Sequence, residues 1–489
     1  MIHPWEWTRP RLFGLVLGLL SMLALWRLPS PLQAGDGRAA LAAGITAWMS
    51  IWWLTEALPI TMTAALPIFI FPLTGVLGGP IEKQLAVLIS AYVHPYIFLF
   101  LGGMGIAAAM QQCQLHRRLA VQIMRLVGTG PERLLLGFLL ATAFVSMWIS
   151  NTATAAMMLP IGLAVVQQLE LRRGGGRLHH YGAAVMLAIA YGANLGGIGT
   201  KIGTAPNAQL AQFLAAIGEE VDFLQFSGIG VPFIAMMAPA AWWLLWRVAR
   251  ADGAGLGQVG ADALAQELRA LGPMRPSEKW VFAVFLGAAA FWIGGQPLTS
   301  LLRERWPELT TAQLEGSVAM VAMVLLLFLR VEGRQLLELR VLVAQPWGTL
   351  ILLGGSFAMA EAIQRSGLSS HLGEQLALIK DLPPLAQVLA ATTLTVTISA
   401  IASNTATTTV MLNVLRTAAV PALLPTLAFA SAFAASCDFA LPAGTPPNAI
   451  VFASGYLSIP RMAKTGVLLD LYAAIVVGLW CFVSVPWLS

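Results

Sequence analysis

The tetrapeptide Ser-Asn-Thr-Ala occurs twice, beginning at Ser150 and at Ser403, and each copy lies inside a long apolar stretch. Each is followed by a Gly-Thr-x-Pro-Asn, beginning at Gly203 and at Gly444. Small polar side chains and helix breakers are tolerated at membrane depth only where they are buried in protein or line a cavity. Two matched interruptions therefore have to be gathered around a polar interior. The surroundings are those of a membrane protein: 58% of the 489 residues are hydrophobic and 10% are charged. Soluble domains carry about 25% charged residues, so a soluble globule is excluded.

Other functional classes fall away on similar grounds. The net charge of +5 does not suggest nucleic acid, because the Lys and Arg lie in short loops rather than on one face. Cys113, Cys437 and Cys481 are too few, and too apolar in context, for a disulfide framework. His179 and His180 form the only histidine cluster and read as loop residues rather than a metal site. Arg9 and Arg11 precede the first apolar run, but no convincing small-residue cleavage site follows it, so no cleavable signal peptide is expected. Beside the repeated motifs there is no His–Ser–Asp set or His/Cys cluster of the kind an intramembrane enzyme needs. A channel would need a continuous polar path or a ring of charges; duplicated broken helices suit alternating access instead.

A spanning helix takes about 20 apolar residues. Spans are read near 12–28, 40–57, 58–78, 87–112, 182–198, 228–247, 280–298, 315–330, 344–363, 425–441 and 466–487. Two further apolar pairs, 134–149 with 152–169 and 386–402 with 405–420, flank the Ser-Asn-Thr motifs. The polar stretch 249–279, with Gly253, Gly255, Gly257 and Gly260, reads as a flexible loop between two halves. Leu101-Gly102-Gly103 in the first half answers Leu353-Gly354-Gly355 in the second. Gly102 and Ser150 are 48 residues apart, Gly354 and Ser403 49. Four landmarks in the same order describe a duplicated unit with an interrupted helix in each copy, the signature of inverted-repeat transporters.

Charge suggests how the motif segments thread. Arg117, Arg118, Arg125 and Arg133 precede the first, and Arg172, Arg173 and Arg177 follow it. Basic flanks on both ends favour the cytoplasm, so the segment reads as a re-entrant hairpin. The second has only Lys380, beside Asp381, before it and Arg416 near its end, and is the candidate for entry from outside.

At a hairpin tip the outgoing helix offers free N–H groups that suit an anion, while the incoming helix offers carbonyls that suit a cation. Asn supplies a carbonyl and an amide from one side chain, and Thr a hydroxyl. Gly203 and Gly444 allow close backbone approach; Pro206, Pro446 and Pro447 suit a first helical turn. No Arg lies in these motifs, so a bound anion would gain from a cation beside it. Ser146, Ser150 and Asn151, and at identical spacing Ser399, Ser403 and Asn404, form candidate Na⁺ cages.

These motifs resemble the divalent anion/sodium symporter family, of the INDY and sodium–dicarboxylate cotransporter type. Further likeness lies in Trp52-Trp53-Leu54-Thr55-Glu56-Ala57-Leu58-Pro59, in the Leu-Phe-Leu-Gly-Gly run at 99–103 and in Leu115-His116-Arg117-Arg118. The resemblance implies an all-α polytopic protein of the inner (plasma) membrane with about eleven spans, two re-entrant hairpins in an inverted repeat, a homodimer and elevator-type movement. Scaffold parts are expected at 1–133 and 280–383, transport parts at 134–250 and 384–489, and a cytoplasmic linker at 251–279. Substrate carboxylates would meet Asn151, Thr152, Asn404 and Thr405, helped by Thr204, Thr445 and Pro446. One Na⁺ would sit among Ser146, Ser150, Asn151 and Gly203, the other among Ser399, Ser403, Asn404 and Gly444. The expected cargo is a C4-dicarboxylate such as succinate, coupled to Na⁺; Na⁺-independent exchange, proton coupling and sulfate transport are the alternatives.

The chain departs from the family in places. Lys201 and Asp438 stand where apolar or small residues are usual, Ala205 replaces the first Pro of a Pro-Pro pair, and Gln111-Gln112 replaces a stretch that is often charged. Ionisable groups at membrane depth are functional candidates by default. Lys201 could replace the first Na⁺ as a tethered cation or carry a proton; alternatively Lys201 and Asp438 pair with each other, or snorkel, without a coupling role.

Overall fold

The computed structural model describes residues 8–27, 32, 36–174, 176–253, 260–369, 382–442 and 444–488. Among the described residues the fold is all-α apart from one two-stranded ribbon, Arg330–Val331 with Arg334–Gln335. The chain opens with α1 (Arg9–Arg27), α2 (Arg38–Thr55), α3 (Ile60–Thr74), α4 (Ile81–Tyr92), α5 (Pro95–Gln112) and α6 (Leu115–Val127). A helix pair follows, α7 (Pro131–Ser146) and α8 (Asn151–Arg172), then a second broken pair, α9 (His179–Gly197) and α10 (Ala205–Ala216). The middle holds α11 (Phe223–Gly253), α12 (Gly260–Leu271), α13 (Pro276–Ile293), α14 (Gly295–Arg303), α15 (Thr311–Phe328), α16 (Leu339–Val343) and α17 (Gly348–Arg365). The same two broken pairs then recur as α18 (Pro384–Ser399) with α19 (Asn404–Ala418), and α20 (Leu424–Ser436) with α21 (Pro446–Phe452); α22 (Ile459–Ser484) closes the bundle.

Helices overlap all eleven apolar spans read from the sequence. Among the described residues, six helical runs are by themselves long and apolar enough to cross a bilayer: Arg9–Arg27, Ile81–Gln112, Asn151–Arg172, Phe223–Gly253, Thr311–Phe328 and Ile459–Leu488. A seventh arises if α13 and α14, bent by 64° at their junction, count as one. Large apolar side chains stay exposed along α1, α13, α15 and α22, among them Phe13, Phe291, Val321 and Ile475, as a lipid-facing surface requires.

The repeated Leu-Gly-Gly has a packing role. A Cβ on Gly102 would lie 2.3 Å from the Ala319 backbone, so α5 packs tightly on α15; one on Gly355 would lie 2.3 Å from the Ala64 carbonyl oxygen, so α17 packs tightly on α3. The structure differs from the sequence expectation at two places. The polar stretch 249–279 is not a flexible loop throughout: it carries α12, which packs on α6 and α8; Gly255 and Gly257 lie outside the described residues. His179 and His180 open α9 rather than lying in a loop. Asp252 fixes that start: its carboxylate accepts from the backbone N–H groups of His180 and Tyr181, both at 2.7 Å, satisfying first-turn donors that would otherwise be orphaned. Lys380 and Asp381 lie outside the described residues.

Candidate functional site

Four helix breaks meet at one cavity of about 1120 Å³. Residues 147–150 separate α7 from α8, and Ser150 caps α8 by accepting from the Ala153 N–H at 3.4 Å. Residues 400–403 separate α18 from α19, whose first residue is Asn404. Thr204 and Thr445 precede α10 and α21, each with proline in the first turn, where no backbone donor is missed. Ser150, Asn151, Thr152, Gly203 and Thr204 line the cavity from the first half; Ser403, Asn404, Thr405, Gly444, Thr445 and Pro446 line it from the second. The helix starts therefore turn their N-terminal ends toward shared space, a setting that favours an anion.

Ser146 and Ser399 do not line the cavity. Both are fully buried behind it and hold the two asparagines. The Ser146 hydroxyl lies 2.7 Å from the Ala193 carbonyl oxygen and 3.0 Å from Asn151 Oδ1. The Ser399 hydroxyl lies 2.6 Å from the Ala435 carbonyl oxygen and 3.1 Å from Asn404 Oδ1. In each cradle three oxygens share a single hydroxyl proton, an oxygen-rich arrangement with the chemistry of an alkali-cation site. A Cβ on Gly197 would fall 2.3 Å from Asn151 Oδ1, so the carboxamide packs where a side chain would stand.

The final Asn of each Gly-Thr-x-Pro-Asn, to which the sequence reading gave no role, ties its loop shut. Asn207 Nδ2 donates to the Gly197 and Thr200 carbonyls at 2.8 and 2.7 Å. Asn448 Nδ2 donates to the Asp438 and Leu441 carbonyls at 3.1 and 2.9 Å. Asn194, fully buried on α9, crosses between the halves: its Nδ2 donates to the Asp438 carbonyl at 2.9 Å and to Thr445 Oγ1 at 3.2 Å. The recurrence of Pro-Asn at the end of both motifs was the available signal for Asn207 and Asn448; an Asn inside the apolar run 182–198 was the signal for Asn194.

Lys201 does not pair with Asp438. Its ammonium lies 2.8 Å from Glu315 Oε2, with both side chains essentially without solvent exposure, and 5.5 Å from the centre of the Tyr96 ring. Glu315 Oε1 in turn accepts from the Phe223 N–H at 2.7 Å. Glu315 sits in the first turns of α15, where an acid inside the predicted span 315–330 was visible, but its partner is 114 residues away. The pair is charge-balanced, and neither residue lines the cavity. Among the described residues lining that cavity the only ionisable side chain is Glu56, half-exposed and 3.7 Å from Arg11. An anion bound there meets helix ends, amides and hydroxyls, with no side-chain cation among the described lining residues to balance it.

The chain matches the sodium:sulfate symporter transmembrane region over residues 10–488. It belongs to that family, and is a membrane transporter rather than an enzyme. The sodium-dependent dicarboxylate transporter SdcS of Staphylococcus saprophyticus is 38% identical over 487 residues, covering 97% of this chain and 92% of the relative. Its counterpart from Staphylococcus aureus strain NCTC 8325 is 36% identical, covering 97% and 91%. Two solved structures share the fold. Neisseria gonorrhoeae MtrF is 12% identical with a TM-score of 0.55, over 98% of this chain and 95% of that one. The Alcanivorax borkumensis YdaH transporter is 15% identical with a TM-score of 0.52, over 98% of each.

Proposed function

We propose that this transporter carries a C4-dicarboxylate such as succinate across the inner (plasma) membrane together with Na⁺. The observation that carries the reading is the pair of equivalent Ser/Asn cradles opening on one cavity that has no cationic side chain among its described lining residues. A dianion there needs positive charge beyond what helix ends supply, and Na⁺ held in the two cradles provides it beside the substrate. Two Asn-Thr corners, Asn151-Thr152 and Asn404-Thr405, suit two carboxylates, each corner taking one; a single compact sulfate would use only part of the cavity. The names of the two staphylococcal relatives support both the cargo and the coupling ion.

In this reading Asn151, Thr152, Thr204, Asn404, Thr405, Thr445 and Pro446 contact the substrate. Ser146, Ser150, Asn151 and Gly203 frame one Na⁺; Ser399, Ser403, Asn404 and Gly444 frame the other. The two motif segments are re-entrant hairpins of an inverted repeat, the first entering from the cytoplasm and the second from outside. With the eleven spans they make a homodimer in which a transport part, 134–250 and 384–489, slides as an elevator against a scaffold part, 1–133 and 280–383.

The test is counterflow of labelled succinate into proteoliposomes, with Na⁺ or choline and with unlabelled sulfate as competitor. Succinate uptake that needs Na⁺ and resists sulfate is expected. Uptake equal in choline would put Na⁺-independent exchange or proton coupling in its place, and displacement by sulfate would move the cargo class.

A further inference from the structure

The two cradles are alike in their serines and asparagines and unlike at one position. Asn207 ties its loop to the carbonyl of the residue ten before it, Gly197, and Asn448 ties its loop to the carbonyl of the residue ten before it, Asp438. Asp438 is therefore the counterpart of Gly197. In the first cradle a side chain at that position would run into the Asn151 carboxamide, 2.3 Å from a Gly197 Cβ. In the second cradle that position carries a carboxylate, directed at the Gly444 backbone: Asp438 Oδ2 lies 1.7 Å from where a Gly444 Cβ would stand. Gly444 has no Cβ, and the carboxylate occupies the room this leaves beside a residue that lines the cavity.

Asp438 is fully buried, and neither carboxylate oxygen has a hydrogen-bond partner among the described residues. Among the described residues no side-chain cation offsets it. Among the described residues the titratable groups facing it are Asp470 of α22, Tyr191 of α9 and the neighbouring Cys437. Asp470 is engaged with the Phe439 N–H at 2.9 Å, and the Tyr191 hydroxyl donates to the Phe439 carbonyl at 3.2 Å. An ionised carboxylate buried without a counter-charge or hydrogen bonds is costly, and a cation in the adjoining cradle removes that cost.

We propose that Asp438 is a direct ligand of the monovalent cation in the second cradle, giving that site a fixed negative charge that the first lacks. The inference rests on the reading that the Asn404 cradle takes Na⁺. It makes the two Na⁺ sites unequal: the second binds first and more tightly, and the first, with no acid in its cradle, fills later.

The experiment measures the Na⁺ dependence of thermal stability of the full-length protein in nanodiscs, with choline replacing Na⁺, for the wild type, Asp438→Asn and Asp438→Ala. The alanine variant guards against a folding failure, since Gly197 shows that the matching position needs no side chain. A wild type stabilised by Na⁺, with the half-saturating concentration at least tenfold higher in both variants, is expected. A wild type stabilised by Na⁺ with both variants matching it overturns the role of Asp438 and leaves the Na⁺ reading intact. A wild type indifferent to Na⁺ overturns both. A variant response unchanged in midpoint but reduced in size also overturns it, because a lost ligand has to move the midpoint.

Discussion

At the scale of single residues, the site depends on how two carboxamides are held. Asn151 and Asn404 each face the cavity and are each pinned by a buried serine. Asn151→Ala or Asn404→Ala is expected to abolish dicarboxylate uptake with the protein still folded, because each removes an amide and a carbonyl from a half-buried site, and each partner left unmatched once substrate closes that site off from water costs about 1–3 kcal/mol. Gly197→Ala is expected to cut uptake at least tenfold, since the new methyl lands 2.3 Å from Asn151 Oδ1 and must turn the carboxamide away. Labelled-succinate uptake beside size-exclusion profiles checks all three; wild-type uptake in Gly197→Ala would show that the Asn151 orientation does not matter. Much of this site was legible in the sequence, because its residues recur as two motif pairs at matched spacing. Gly197 and the pairing of Asp438 against Gly444 were not legible, because they depend on how the chain folds back within a break and not on residue type.

At the scale of elements, the helices under the eleven apolar stretches were readable from length and apolarity, while the amphipathic helices between them were not. The glycine-rich start of the stretch 249–279 masked α12, and nothing local announced what α12 packs on. Its anchor is the Leu115-His116-Arg117-Arg118 run at the start of α6. The Arg117 guanidinium donates to Glu267 of α12. Arg118 is buried; its Nε donates to Glu278 of α13 at 2.6 Å, and its terminal nitrogens donate to the carbonyls of Leu271, Gly272 and Pro273. One arginine therefore fixes the α12–α13 corner, satisfying carbonyls at the end of α12 that no helical N–H reaches. Glu278→Ala leaves that guanidinium buried without its counter-charge, a loss of about 3–5 kcal/mol by the behaviour of broken buried pairs. The variant is expected to melt well below the wild type in detergent, while Glu267→Ala, which breaks a partly exposed pair, is expected to shift the melting point little. Equal small shifts in both would mean that Arg118 is held by the carbonyls alone.

At the scale of the whole molecule, the Lys201–Glu315 pair joins two parts of the chain that the elevator reading assigns to different bodies. Lys201 lies in the break between α9 and α10, within the proposed transport part, and Glu315 lies on α15, within the proposed scaffold. Their contact is dry, and the acid is braced by the Phe223 N–H, so this is a specific link across the proposed boundary rather than an incidental surface pair. Because the pair is neutral overall, Lys201 does not need to stand in for the first Na⁺. The lysine's charge is answered by Glu315, and the expected repulsion of Na⁺, about 4 kcal/mol for bare charges at 4 Å and an effective dielectric near 20, is largely cancelled. An elevator has to part this pair or carry both residues together on every cycle. Lys201→Cys with Glu315→Cys, in a background with Cys113, Cys437 and Cys481 replaced by serine or alanine, allows the two positions to be bridged by a short reducible bifunctional thiol reagent. If the residues ride on separate bodies, the bridged protein is expected to lose succinate counterflow and to regain it when the bridge is reduced. Full counterflow in protein shown by mass spectrometry to be completely bridged would mean that Lys201 and α15 move as one, and the boundary between the moving and the fixed parts would then have to be drawn on the far side of α15.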